Sequence, residues 1–264
     1  MNRIEKKMLE ILKELKNEHN VLAVKAEFEA EGSRTGELVK LNEIVSRADM
    51  NLFIKIGGCE AVRDLDQCKL LGARGIMAPM IESPFAMKKF VGAAKKVYGD
   101  EVSDVEWIIN AETKTCRENF DEILAEGKGF LNTISIGRVD LSASMGLTRE
   151  VINGEEVFEA AQFFAKKAKA AGIVVGFGGG ISFDAIVFVK NMKGLAQKFE
   201  TRKIVFKYDD NAERLKAGIL KAMEFEVLYL QNKCEFYDRM ANEDKVRMQM
   251  LVERFEMAKA KLGK

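Results

Sequence analysis

Seven short apolar runs rich in β-branched residues punctuate this chain, at 21–28, 52–56, 75–78, 105–111, 133–136, 173–175 and 203–206. Runs of this length bounded by polar turns read as buried strands. Between them, apolar positions recur at i, i+3 and i+4, as in Phe120, Ile123 and Leu124 and in Phe158, Ala161, Phe164, Ala165 and Ala168. That spacing predicts helices with one face laid on a sheet. Strands alternating with helices of ten to fifteen residues imply a parallel sheet of βαβ units. An amphipathic helix, MNRIEKKMLEILKELK, precedes the first run. From Asn211 the pattern is helical to the end: Leu215, Ile219, Leu220, Met223, Val227 and Leu230, then, past a break at Asn242, Val246, Met250, Leu251, Phe255 and Leu262. Two C-terminal helices are expected, with apolar faces that need a cover. Both prolines, Pro79 and Pro84, fall in the loop after the third run and fix its shape.

Composition narrows the chemistry. At 264 residues the chain has the length of a single α/β barrel, and no linker divides it before about Asp210. Charged residues make up 31% yet nearly cancel to +1, which argues against nucleic acid or a membrane surface as the partner. Cys59, Cys68, Cys116 and Cys234 lack metal-finger spacing, and the N-terminus lacks a signal-peptide pattern; a cytoplasmic location with reduced thiols is expected. With His19 as the only histidine, in a polar stretch before the first strand, a Ser-His-Asp triad and a His-rich zinc site are both disfavoured. Proton transfer falls to carboxylates, lysine, tyrosine or metal-bound water.

Two carboxylates carry the sharpest signal. Glu112 closes the run Trp107-Ile108-Ile109-Asn110-Ala111, and Asp140 closes Thr133 to Val139. The C-terminal mouth of a parallel strand is where α/β folds place their chemistry, and two oxygen ligands suit a hard cation, Mg²⁺ or Mn²⁺. The bland alternative is that both only serve neighbouring helix termini. Gly176-Phe177-Gly178-Gly179-Gly180 opens a helix and either cradles an anion or makes a tight turn, with Gly178 and Gly179 as the candidates. Glu82 either supports the site or meets the following helix's N-terminus. Lys25 and Lys55 raise a Schiff-base route, which requires a lowered lysine pKa. Lys207, Asp209 and Asp210, after the last run, are placed at the active end, where they either help bind substrate or form a solvated charge cluster.

Three segments in order resemble the HpcH/HpaI aldolase and citrate lyase family. Gly75-Ile76-Met77-Ala78-Pro79-Met80-Ile81-Glu82-Ser83 is similar to its "PMVES" loop, and Ile109-Asn110-Ala111-Glu112-Thr113 to its "IET" strand end. Ile136-Gly137-Arg138-Val139-Asp140-Leu141-Ser142-Ala143-Ser144-Met145-Gly146 is similar to "GpaDLSxSxG". The resemblance implies an α/β fold, a (β/α)₈ TIM-like barrel over 1–210. Because the chain opens on a helix, the barrel is expected to have a modified N-terminal strand. Residues 211–264 would add the helical extension, within the same domain or as an oligomer contact. It implies Glu112 and Asp140 as ligands of Mg²⁺ or Mn²⁺, with Arg138, Val139, Asp140 and Ser142 forming the turn that takes a substrate carboxylate. Two departures stand out. Lys55 occupies the place of the family's arginine, and Phe28 that of the histidine in its Asp-x-x-His unit. Glu27 keeps the acidic neighbour there, and Glu29 or Glu31 is a candidate base.

The implied function is a class II carbon–carbon lyase or aldolase acting through an enolate of pyruvate, oxaloacetate or a phosphoenolpyruvate-type acid. An aldehyde or thioester is the second substrate, and the protein is expected to be a homo-oligomer through its C-terminal helices. The alternatives are a citryl-CoA-like acyl-CoA lyase and a non-catalytic 2-oxo-acid binding or regulatory protein.

Overall fold

The computed structural model describes residues 1–261, so the predicted apolar position Leu262 lies outside it. Eight strands form one nearly closed, barrel-shaped sheet. They are β1 (Val21–Glu27), β2 (Asn51–Lys55), β3 (Gly75–Ala78), β4 (Glu106–Ala111), β5 (Thr133–Gly137), β6 (Val174–Gly178), β7 (Lys198–Glu200) and β8 (Ile204–Lys207). The order β6-β5-β4-β3-β2-β1-β8-β7 gives six consecutive parallel strands, each joined to the next by a helical crossover. The architecture is a TIM-like α/β barrel.

Its irregularity lies at the closure, where the predicted modified first strand, β1, carries a register shift between Val21 and Ala23 against β8. β1 pairs in parallel with β2 over five residues, whereas β8 runs antiparallel to both β1 and β7. Gln197 draws β7 to β6: its N–H donates to the Val175 carbonyl at 2.8 Å, and its Oε1 accepts the Val175 N–H at 2.8 Å. β7, Lys-Phe-Glu, has one apolar residue and no β-branched one, so periodicity does not register it.

The reversed β8 also corrects an expectation. Its start, not its end, lies at the mouth, where Thr201 and Arg202 line the cavity. Lys207 lies at the opposite end, its N–H donating to the carbonyl of Asn20, the residue before β1. Asp209 accepts from Asn20 there, and Asp210 pairs with Lys193 at 2.6 Å.

Ten α-helices surround the sheet among the described residues: α1 (Arg3–Glu18), α2 (Thr35–Arg47), α3 (Val62–Leu70), α4 (Pro84–Tyr98), α5 (Lys114–Glu118), α6 (Phe120–Glu126), α7 (Arg138–Ser144), α8 (Glu155–Ala170), α9 (Ile186–Asn191) and α10 (Ala212–Lys261). Asn2 starts α1 through a capping box with Glu5. The predicted pair of C-terminal helices is instead one helix of 50 residues running through Asn242. A single residue of moderate propensity costs well under about 1 kcal/mol and does not break a helix flanked by Ala241 and Glu243. The first part of α10 buries Leu215, Ile219, Ala222 and Phe225 in the main core with Met8, Leu12 and Leu15 of α1.

Period-two alternation sorts the strand residues into two compartments. Val24, Ile54, Ile76, Ile109, Ile134 and Val175 face outward into the main core beneath the helices. Inside the barrel, Ala23, Phe53, Met77, Ile108 and Val205 form a small separate cluster. That apolar plug floors the barrel and leaves its upper half to polar residues.

Candidate active site

Above the plug the inward positions turn polar: Lys25 and Glu27 on β1, Lys55 on β2, Asn110 on β4, Ser135 on β5 and Glu200 on β7. They lead into a cavity of about 480 Å³ at the C-terminal ends of the parallel strands, which Glu112, Val139, Asp140, Gly178 and Gly179 also line.

Two buried lysines organise the interior. Lys25 Nζ lies 2.7 Å from Glu200 Oε1 and 3.5 Å from Glu27 Oε1. Lys55 Nζ lies 2.7 Å from Glu29 Oε2 and 3.9 Å from Glu112 Oε2. Burial alone would push both ammonium groups down. For Lys25, Glu200 and Glu27 outweigh burial, and for Lys55, Glu112, Glu29 and Glu27 do so; both pKa values rise above the ordinary lysine range. A lysine held protonated is not a nucleophile, so the Schiff-base route loses its premise.

Glu112 is 1% exposed and held from both sides. Its Oε1 accepts the Met80 N–H at 3.0 Å, and its Oε2 accepts from Asn110 Nδ2 at 2.8 Å. Met80 reaches it from the proline-framed loop with φ of 50°, a region that bulky side chains rarely adopt. Burial pushes the Glu112 carboxyl up despite the opposing pull of Lys55, Met80 and Asn110, and Asp140 adds to the rise. The Glu112 and Asp140 carboxylates therefore sense each other. Gly137 is required beneath them, since a Cβ there would fall 2.4 Å from Glu112 Oε2. Gly178 serves Glu200 in the same way, a Cβ there falling 2.6 Å from Glu200 Cγ.

Three predicted positions lie elsewhere. Arg138 is fully buried outside the cavity lining. Its Nε donates to the Gly178 carbonyl at 3.1 Å, its Nη2 to that of Gly179 at 2.6 Å and its Nη1 to Asn153 at 2.8 Å. The guanidinium sits 4.3 Å from the Phe188 ring centroid, so it anchors the glycine turn rather than facing the cavity. Burial lowers its pKa to about 10, which still leaves it charged at neutral pH. Ser142 is buried and donates to the Val139 carbonyl at 2.9 Å, which supports the turn from behind. Glu82 does not line the cavity, and the N-terminus of α4 is capped by Ser83, whose Oγ accepts the Ala86 N–H at 3.1 Å. Phe28 packs against the main core while its neighbours Glu27 and Glu29 line the cavity, so carboxylates rather than a ring face it there.

Sequence reasoning missed Asn110, Arg149, Glu200, Arg202 and Glu226, all of which line the cavity, and did not assign Met80 a role. One signal for Glu200 was present: Lys198-Phe199-Glu200 repeats the alternation of Lys25-Ala26-Glu27, polar residues two apart with an apolar residue facing the core between them.

The donor set suits a hard divalent cation. Six carboxylates (Glu27, Glu29, Glu112, Asp140, Glu200 and Glu226) share the cavity with four cationic side chains (Lys25, Lys55, Arg149 and Arg202), an excess of negative charge that a dication would offset. Asn110 Oδ1 beside Glu112 is buried without a partner. Among the described residues, the one group of three histidine, cysteine or carboxylate side chains close enough to share an ion is Glu14, Glu18 and His19, and Glu112 and Asp140 belong to no such group. Two carboxylates and open positions are what Mg²⁺ commonly takes from a protein.

A profile of the HpcH/HpaI aldolase/citrate lyase family matches residues 38–185. Among solved structures, an HpcH/HpaI aldolase from Desulfitobacterium hafniense DCB-2 is similar at 15% identity and TM-score 0.60, covering 76% of this chain and 83% of that one. An HpcH/HpaI aldolase/citrate lyase family protein from Burkholderia cenocepacia J2315 aligns at 16% identity and TM-score 0.61, covering 84% and 90%. The citrate synthase variant SbnG aligns at 16% identity and TM-score 0.57, covering 86% and 90%. At these identities the structural likeness establishes the fold. No curated protein matches significantly. No helix among the described residues is long and apolar enough to cross a membrane.

Proposed function

Because this chain belongs to the HpcH/HpaI aldolase/citrate lyase family, we propose that it is a metal-dependent carbon–carbon lyase or aldolase that works through the enolate of pyruvate, oxaloacetate or a related 2-oxo acid. The observation that carries this reading is that Glu112 and Asp140, from adjacent strand ends, open into one cavity that Lys25, Lys55 and their partner carboxylates also line.

Mg²⁺ or Mn²⁺ held by Glu112 and Asp140 would supply Lewis-acid charge to a carbonyl oxygen. The chain's own residues do the rest. Met80 N–H and Asn110 Nδ2 fix the Glu112 carboxylate in one orientation, so it need not reorganise when charge develops nearby. Lys55 Nζ, between Glu29 and Glu112, is a fixed donor at the cavity wall for an oxyanion, although it lacks an arginine's planar fork. Glu29, partly exposed and paired with Lys55, and Glu27, paired with Lys25, are the carboxylates placed to take a proton from the carbon next to the carbonyl. Val139 and the Gly178-Gly179 turn, immobilised by Arg138, wall the side where a substrate carboxylate would lie.

The test is hydrogen exchange at the pyruvate methyl in D₂O, followed by NMR with and without Mn²⁺ or Mg²⁺. Exchange should require the metal and disappear in Asp140→Ala; exchange that survives chelation or that substitution overturns the reading. A second reading, an acyl-CoA lyase, draws support from Arg149 and Arg202 at the rim, and a thermal shift with CoA would favour it.

A further inference from the structure

A second cavity, of about 280 Å³, lies on the flank of the barrel between α1, α2 and α10 and shares no lining residue with the catalytic one. Gly36, Lys40 and Ile44 of α2 line it opposite Tyr229, Lys233 and Tyr237 of α10, each set spaced by four, so each helix turns one face to the gap. The gap is propped at Glu37. Its carboxylate accepts from the Tyr237 hydroxyl and lies 3.0 Å from Lys233 Nζ, while the Arg34 guanidinium lies 4.6 Å from the Tyr237 ring centroid. Tyr237 is thereby docked on α2 of its own chain, and the two helices are held at a separation that their side chains do not fill.

Gly36 adds room that the backbone does not ask for. It lies inside the first turn of α2, its φ is outside the left-handed region, and a Cβ there would meet nothing within 4 Å. Alanine would serve a helix better by up to about 1 kcal/mol, so the bare position is a local cost that keeps one wall of the cavity open.

The lining is two-sided in its chemistry. Met8, Leu41 and Ile44 give it a buried apolar floor. Arg34, Lys40 and Lys233 set three cations against the single carboxylate of Glu37, which Lys233, Arg34 and Tyr237 already engage. Lys40 pairs with no carboxylate among the described residues, and its ammonium lies 4.1 Å from the Phe236 ring centroid. A neutral apolar guest would leave that positive excess unanswered, and a cationic one would add to it. The space is too small for a partner's helix, about 10 Å across, but has room for a single ring or a short chain. We propose that the cleft between α2 and α10 binds a small amphipathic acid, its aryl or acyl body against Met8, Leu41 and Ile44 and its anionic head at Lys40 and Lys233.

The probe is para-iodobenzoate, titrated by calorimetry into the full chain, with para-iodobenzyl alcohol and para-iodobenzylamine as its neutral and cationic counterparts. The acid should bind saturably, the alcohol several-fold more weakly and the amine not measurably. Gly36→Leu places a good helix former in the open wall; it should melt no lower than the parent and bind the acid about tenfold more weakly. Lys40→Glu, at an exposed position, should weaken the acid several-fold and leave the alcohol unchanged. Oxalate with Mn²⁺, which addresses the catalytic cavity, should not compete, because the two cavities have no residue in common. Iodine located by anomalous scattering in a soaked crystal should lie against Leu41 and Ile44. Absence of saturable binding, equal affinity for the three head groups, full affinity in Gly36→Leu, or displacement by oxalate overturns the proposal. So does an affinity that falls as the mass of the protein in solution rises, which would give the cavity to a second chain.

Discussion

Lys25 Nζ lies 2.7 Å from Glu200 Oε1, an ion pair that joins the first strand of the barrel to the seventh across its interior. Both side chains are buried, and Ser135 Oγ adds a 3.4 Å hydrogen bond to the same oxygen. β7 has only three residues and β8 runs backward, so the sheet closes with little backbone ladder and this pair carries part of the closure.

Removing one partner strands the other. Lys25→Met leaves Glu200 and Glu27 buried without their cation and should destabilise the fold by about 3–5 kcal/mol, the usual cost of breaking a buried pair. Lys25→Met/Glu200→Leu should recover part of that loss. Urea denaturation of the two variants and the parent measures both effects. Because the folded pKa of Lys25 is raised, its contribution is fully present below the unfolded lysine pKa and fades as pH rises through the folded value. Parent stability should therefore hold through neutral pH and fall only in the strongly alkaline range, and this alkaline fall should be smaller in the double variant.

How much of this was legible in the sequence depends on what each residue's signal was. Glu112 and Asp140 were readable because a carboxylate ending an apolar run stands out against it. Lys25 and Glu200 sit inside their strands, where a charged residue reads as a break in the pattern until the inward face is known to be polar. β8 looked like a further parallel strand because periodicity carries no direction, and this misplaced Lys207, Asp209 and Asp210. Arg138 was read for the backbone N–H groups of its turn, which says nothing of its side chain: its motif neighbours Val139 and Asp140 line the cavity, and the first turn of α7 points the guanidinium the other way, onto Gly178 and Gly179.

Arg138 should therefore matter to stability and to the shape of the glycine turn. It holds two carbonyls and Asn153 with a planar fork, and burial leaves no water to replace them. Arg138→Met should cost roughly 2–4 kcal/mol through the unpaired carbonyls, and Arg138→Lys should rescue little because a point charge cannot serve the three acceptors in that geometry. Thermal denaturation, with limited proteolysis near Gly179 and Gly180, reads the two effects separately.

Arg149 lines the cavity from the short 3₁₀ turn Arg149–Val151 and makes no ion pair among the described residues, whereas Lys25 and Lys55 are each engaged by two carboxylates. It is the cavity's available cation for a second anionic group on the substrate. Arg149→Gln should raise KM several-fold for an acceptor bearing a carboxylate or phosphate, with kcat and pyruvate methyl exchange little changed. A neutral aldehyde should show no such penalty, and steady-state kinetics on the two acceptor types separates them.

Glu112 is where the demands of folding and chemistry conflict. Its ionised carboxylate is buried at a cost that Lys55, Met80 and Asn110 only partly offset. Glu112→Gln keeps an oxygen for the Met80 N–H, and Asn110 can rotate its unpartnered Oδ1 to meet the new amide. The variant should be as stable as the parent or more so, within about 1 kcal/mol, because it removes a buried charge without orphaning a partner. It should nonetheless lose Mn²⁺ affinity by at least tenfold. Gly137→Ala tests the same point from the other side: its Cβ would fall 2.4 Å from Glu112 Oε2 and displace the carboxylate without changing its charge. Titration of Mn²⁺ by electron paramagnetic resonance, alongside melting curves, should show metal affinity lost in both variants and stability lost only in Gly137→Ala. Full affinity in either would mean that the Glu112 carboxylate is not a ligand.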